Sequence, residues 1–159
     1  MLNDYGNKHY FDMKKFILTD ETIVMFGVTL HRIKAIRSFG TVKEGELGGF
    51  VEKEENISEH FDAWVSGNAR VSGDALVSGD AEVCGNADYI VFKNWWSSGR
   101  YFTWTRSNNM WAVGCFYGTG EELVKKAYQD SEKSGREYER VVKYVESILA
   151  DENNEKVTK

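Results

Sequence analysis

From Ala63 to Asp88 the chain repeats a six-residue unit: AWVSGN, ARVSGD, ALVSGD, AEVCGN, then AD. Alanine recurs at 63, 69, 75, 81 and 87, and valine at 65, 71, 77 and 83. Glycine follows at 67, 73, 79 and 85, each time before Asn68, Asp74, Asp80 or Asn86. A period of six suits neither an amphipathic helix nor an alternating strand. It suits a short strand followed by a tight corner, repeated so that each strand forms one side of a coil. Glycine beside Asn or Asp supplies the left-handed backbone that such corners need. This also accounts for a composition with 15 glycines and no proline, where about eight prolines would be usual at a frequency of roughly 5%.

Read from valine, each unit is V-x-G-[DN]-A-x, which resembles the hexapeptide repeat of left-handed parallel β-helices. The resemblance implies a triangular coil of three hexads, with Val65 stacked against Val83 and Ala69 against Ala87. Upstream, Leu47 and Val51 fit one hexad, but Lys53 and Glu59 occupy the next two valine positions; downstream, Tyr89 takes the valine position and the glycine corner is gone. The expected fold is therefore mainly β: a short left-handed parallel β-helix over 47–94, an N-terminal β-hairpin cap within 1–46, and aromatic-rich strands followed by two helices over 95–159.

The flanks carry their own patterns. Residues 16–36 place β-branched and aromatic residues on two arms around Gly27, as in a β-hairpin. Residues 41–64 hold seven acids and two lysines, so the formal net charge of −5 is concentrated in one belt, which reads as a solvated face. Residues 89–117 contain four of the five tryptophans, and RYFTWTRSNNMWAVGCF reads as two strands joined at Ser107-Asn108-Asn109. Thr119 and Glu122 form a T-x-x-E capping box ahead of a helix. Gly135 predicts a break or kink, a second helical run follows through Leu149, and the charged remainder from Asp151 predicts fraying.

Several classes are disfavoured at this level. A net acidic chain does not suit general nucleic-acid binding. No apolar run approaches 18 residues, and MLNDYGNKHY lacks a basic head followed by an apolar stretch, so neither a membrane span nor a secretory signal is expected. Two cysteines, Cys84 and Cys115, make no disulfide framework and suit a reducing compartment. The expected location is the cytoplasm of a bacterial host.

Three stretches together, LTDETI…TLHRIKAI, FGTVKEGELGGFVEKEENIS with the repeats that follow it, and TRSNNMWAVGCFYGTGEEL, make the chain resemble the small hexapeptide-repeat proteins of phage and prophage genomes. That resemblance covers most of residues 16–148. It implies a fold more than an activity, although such chains are also described as acyltransferase-like. It raises three functional expectations: a non-enzymatic oligomeric phage protein countering host defence, by capturing a nucleotide-like signal or docking on a defence protein; an acyltransferase using acyl-CoA; and a structural assembly module.

The residues give these readings unequal support. Acyltransferases of this repeat class use a histidine base, and His60 is the one histidine near the coils, against a simpler reading as a surface or cap residue. His9 and His31 lie in the N-terminal region. Three scattered histidines and two separate cysteines show no metal-ligand spacing, and Cys115 reads as a buried free thiol. No cofactor and no catalytic residue is expected. The segment 95–122 offers a candidate ligand site: Arg100, Trp104, Arg106, Ser107 and Asn109, with Gly118-Thr119-Gly120 opening a helix whose free N–H groups suit an anion. Arginines could clamp a pyrophosphate and aromatic rings could stack a base. The competing reading is a capped helix packed on an aromatic core. Trp64, Arg70 and Leu76 fall at outward positions of the repeats and suggest a homo-oligomer, most simply a trimer.

Overall fold

The structure is a computed structural model and describes residues 14–159; His9 and the MLNDYGNKHY segment lie outside the described residues. Strand β1 (Phe16–Met25) turns through Phe26 and Gly27, both with positive φ (51° and 81°), into β2 (Val28–Ala35). Such two-residue turns match the twist of antiparallel arms. Strand β2 pairs antiparallel with β3 (Leu47–Val51), which pairs in parallel with β5 (Arg70–Val71). Strand β4 (Trp64–Val65) pairs in parallel with β6 (Glu82–Val83), setting Val65 opposite Val83. A second sheet is antiparallel throughout, in the order β10-β9-β8-β7, from β7 (Tyr89–Lys93), β8 (Tyr101–Thr105), β9 (Met110–Val113) and β10 (Phe116–Gly118). Helices α1 (Gly120–Asp130) and α2 (Glu132–Val157) complete the chain.

The architecture is thus a set of short antiparallel and mixed sheets with two helices, and the expected left-handed parallel β-helix is not its organising fold. Parallel pairing is confined to β3–β5, β4–β6 and one isolated bridge, Ile57–Val77. The physical reason is length. Two-residue strands give each parallel neighbour only a brief ladder, whereas the longer flanking strands are joined by tight turns that favour antiparallel partners. The repeats still do local work. Val65, Val71, Val77 and Val83 are fully buried, with Ala63, Ala69, Ala75 and Ala81 beside them, and Gly67, Gly73 and Gly79 turn the corners at φ near +60° (58°, 63° and 61°).

These valines and alanines form one core with Phe16, Ile33, Val51 and Ile57. A second core gathers Phe102, Trp104, Trp111, Leu123, Tyr138 and Val142. Strand β7 separates the two. Its alternate residues Tyr89 and Val91 pack on the first core, while Ile90 and Phe92 pack on the second, as the two-residue period of a strand requires.

The C-terminal expectations change in two places. The break between helices falls at Ser131, which caps α2 by accepting the Ser134 N–H (3.0 Å), while Gly135 lies inside α2. A Cβ on Gly135 would stand 2.2 Å from the Tyr128 ring, so glycine is there for close helix approach. The segment after Asp151 stays helical to Val157 and is held by Arg106, which pairs with Glu152. Among the described residues, no helix is long and apolar enough to cross a membrane.

Lys15 closes the lower end of the repeat core. It is fully buried; its Nζ donates to the carbonyls of Ala63 (2.8 Å) and Phe61 (3.1 Å) and stands 4.9 Å from the centre of the Phe39 ring. Burial lowers its pKa from 10.5 to about 8, against the opposing pull of Glu59 and Asp62.

Two outcomes follow. Gly135→Ala should destabilise the protein by about 1 kcal/mol in denaturant melts, because overpacking against Tyr128 outweighs a helix-propensity gain of roughly 0.8–1 kcal/mol. Between pH 8 and pH 10.5 the folded chain holds less of the Lys15 proton than the unfolded chain does, so stability rises with pH there. Thermal or urea melts should show a gain of about 1 kcal/mol from pH 8 to about 9.5, and Lys15→Met should flatten it. Tyr89, Tyr117 and Tyr138, whose hydroxyls burial raises above 10, and Tyr128, raised by its bond to Glu139, oppose this trend only at higher pH.

Candidate functional site

The loop joining β7 to β8 is short and cross-tied. The Asn94 N–H donates to the Arg100 carbonyl (2.8 Å), the Gly99 N–H returns to the Asn94 carbonyl (2.9 Å), and Gly99 supplies the positive φ of 70° that this closure uses. Trp96 then pins the loop to α2. Its ring packs edge-on against Tyr138 with centroids 4.9 Å apart, and its Nε1–H donates to Ser134 Oγ (3.2 Å).

This anchoring buries Asn94, which is 5% exposed. Its Nδ2 donates to the Tyr138 hydroxyl (3.2 Å), but its Oδ1 is buried without a hydrogen-bond partner. A buried amide oxygen left unpaired costs about 1–3 kcal/mol, and such an atom calls for an explanation. Asn94 lines a cleft of about 390 Å³ between the loop, the sheet and the helices, together with Arg100, Phe116, Lys126, Asp130 and Tyr138. Among the described residues no carboxylate is in ion-pairing distance of Arg100 or Lys126. Asp130, one turn along α1 from Lys126, offsets part of the positive charge.

Arg100 owes its position to Gly114. That glycine has φ +57°, and a Cβ there would stand 2.3 Å from Arg100 Nη1. The guanidinium therefore crosses the β9–β10 turn, where it also borders a second cleft of about 310 Å³ that reaches Lys53 and Asp74 on the repeats. Burial raises the Tyr138 hydroxyl pKa, while its bond to Asn94 and the nearby Arg100 charge pull it down, so the hydroxyl stays protonated at neutral pH.

The other residues expected at a ligand site are occupied elsewhere. Trp104 is fully buried, and its Nε1–H donates to Asn109 Oδ1 (2.8 Å). Arg106 donates through Nε to the Ala87 carbonyl (2.9 Å), pairs with both carboxylate oxygens of Glu152, and lies 5.4 Å from the Trp104 ring centroid. Ser107 Oγ accepts the Glu82 N–H (2.8 Å). At the start of α1 the box closes on itself: the Thr119 N–H donates to Glu122 Oε2 (2.8 Å) and the Glu122 N–H to Thr119 Oγ1 (3.2 Å). A Cβ on Gly120 would lie 2.7 Å from Val142, and one on Gly118 would lie 2.6 Å from Glu122 Oε2, so neither glycine opens onto a cradle. Arg100 and Arg106 flank opposite ends of β8, roughly 20 Å apart along an extended strand. The two do not clamp one pyrophosphate. Of the eight residues, Arg100 is the one that lines the cleft around Asn94.

The candidate oligomer residues are also engaged within the chain. Trp64 is buried between Phe16 and Phe39, at centroid distances of 6.4 and 5.4 Å. Leu76 is half-buried, and its N–H donates to Thr103 Oγ1 (3.0 Å) on β8. Arg70 remains exposed, near Met25 Sδ (3.9 Å), and its carbonyl accepts from the Tyr89 hydroxyl. The flanking hairpin and sheet cover the apolar outward positions of the repeats.

Cys115, expected to be buried, is exposed, as are Cys84 and His60. Among the described residues no group of three His, Cys, Asp or Glu side chains could hold a metal ion. Sequence reasoning missed Asn94, Lys126 and Tyr138. Asn94 follows a strand and precedes a Trp-Trp-Ser-Ser-Gly loop, a context that reads as an ordinary turn; Tyr138 reads as one member of an apolar helix face. Compared with known proteins, the chain matches no protein-family model and no curated sequence.

Proposed function

We propose that this protein binds a small anionic molecule in the cleft between the β7–β8 loop, the second sheet and the helix pair, and holds it without transforming it. The observation that carries this reading is the pair of exposed cations, Arg100 and Lys126, that line a half-open cleft with no carboxylate in ion-pairing distance among the described residues, Asp130 being the one acid in its lining. The cleft's volume of about 390 Å³ sits at the lower end of the range for ligand pockets, roughly 300–1,000 Å³. That size suits a molecule on the scale of a mononucleotide better than acyl-CoA.

Binding without catalysis is supported by the lining itself. It contains no histidine or cysteine, and the hydroxyl of Tyr138 is engaged with Asn94. The resemblance to phage proteins makes a nucleotide-derived signal of the host the first ligand to test, with its capture serving to blunt host defence.

Calorimetry and thermal shift against inorganic phosphate and a series of nucleoside monophosphates test the reading. Binding should weaken as salt rises, and Arg100→Ala should weaken it by about tenfold or more, the loss appropriate to a charge-assisted hydrogen bond. Absence of any shift, or unchanged affinity in Arg100→Ala, would contradict it.

A further inference from the structure

Two exposed rings next to the second core play no part in the anion cleft. Trp95, 67% exposed, and Tyr144 line a groove of about 280 Å³ with Phe92, Trp96 and Val141, between β7, the loop that follows it and α2. The rings brace one another edge-on, Trp95 against Trp96 (centroids 6.0 Å apart) and Tyr144 against Phe92 (6.4 Å). The volume falls just below the roughly 300–1,000 Å³ of small-molecule sites and suits a single aromatic side chain. Aromatic surface left open to solvent in this way marks an interaction site.

Cations surround the groove. Lys133 Nζ stands 5.7 Å from the centre of the Trp95 ring, and Lys93 Nζ stands 5.7 Å from that of Tyr101. Among the described residues no carboxylate is in ion-pairing distance of either lysine. Glu137 is the one acid in the lining, and Arg140 pairs with it (2.9 Å). The complementary occupant is an apolar ring flanked by negative charge.

The chain carries such a segment itself. Residues 54–62, EENISEHFD, contain four acids and no lysine or arginine. Within them Phe61 is 70% exposed and sits at φ +60°, a left-handed conformation that a bulky side chain adopts only at a cost. The buried Lys15 fixes this turn: its ammonium donates to the Phe61 carbonyl (3.1 Å), and its backbone N–H donates to Glu59 (2.8 Å). Asp62 next to the ring and Glu55 on the same segment stay exposed. A ring presented on a fixed turn loses little freedom when it docks.

We propose that the groove takes Phe61 of a second copy of this chain, with the acidic segment of one copy facing Lys93 and Lys133 of the other. Phe26, at the tip of the first hairpin, is the more exposed ring at 99%, but residues 25–28 carry no acid, so the charge match selects Phe61. Knob and groove are different surfaces. The contact is therefore head-to-tail and propagates into a ring or a chain. It makes no use of Trp64, Arg70 or Leu76.

Sedimentation over a concentration series, at low and at high salt, tests this. The wild-type protein should associate as concentration rises, and less so at high salt. Phe61→Asn removes the ring and keeps a residue that tolerates the left-handed turn, while Trp95→Glu places an acid in the groove. Both side chains are exposed, so neither change opens the core. Each should weaken association about tenfold or more, as loss of an aromatic anchor does, and Phe26→Asn should leave it unchanged. The Phe61→Asn and Trp95→Glu proteins, mixed, should form a one-to-one complex that grows no further, because one keeps its groove and the other its knob. A wild-type protein that stays monomeric from micromolar to millimolar concentration overturns the proposal. So does association that survives Phe61→Asn or Trp95→Glu, association lost in Phe26→Asn, or a mixture of the two variants that does not pair.

Discussion

Strand β7 is the constraint on which the rest of the molecule depends. Five residues, Tyr89–Lys93, form the wall between two cores, with Tyr89 and Val91 facing the repeat core and Ile90 and Phe92 facing the helices. Tyr89 to Phe92 are each half-buried and packed on one core or the other, so a one-residue shift would exchange the partners of every side chain. Strand β8, paired along the full length of β7, extends this wall, and its Thr103 takes the Leu76 N–H from the repeats. The repeats, the second sheet and the helices are thereby stacked as successive layers. The apolar outward positions of the repeats find cover inside the chain.

That stacking dictates where a cleft can form. The β7–β8 loop leaves the wall at the edge of the second core, where Trp96 packs on α2, Trp95 stays exposed and Asn94 goes inward. Trp96 packs edge-on against Tyr138, and Asn94 is carried inward with one of its two side-chain polar atoms satisfied. Gly114 makes room for the Arg100 guanidinium on the neighbouring turn. The cleft therefore arises where layers meet. An unpaired buried oxygen lies beside it, as an unpaired Trp64 Nε1 lies in the repeat core.

Local features were legible from the residues alone. The six-residue phase told which valines and alanines go inside, Gly27 marked the first turn, and Thr119 with Glu122 announced the start of α1; each depends on residues a few positions apart. What was not legible depends on distant partners. Nothing near Val65 or Val71 reveals that longer antiparallel strands outnumber these two-residue ones, so the repeats by themselves point to a parallel coil. Arg106 looked available beside its aromatic neighbours because its partner, Glu152, lies 46 residues away in a segment whose charge suggested fraying. Gly135 looked like a helix break because the Tyr128 ring that requires it sits on the preceding helix. Asn94 carries no local signal at all: its meaning lies in an atom that lacks a partner, and only the packed structure shows that lack.

The central claim is that the space around Asn94, Arg100 and Lys126 is a ligand site and not an imperfection of packing. A crystal structure of the protein grown with adenosine monophosphate addresses it most directly. The account predicts the phosphate against Arg100 and Lys126, in the cleft beside Asn94 and Tyr138. An empty cleft, or Arg100 turned to a protein carboxylate, would contradict it.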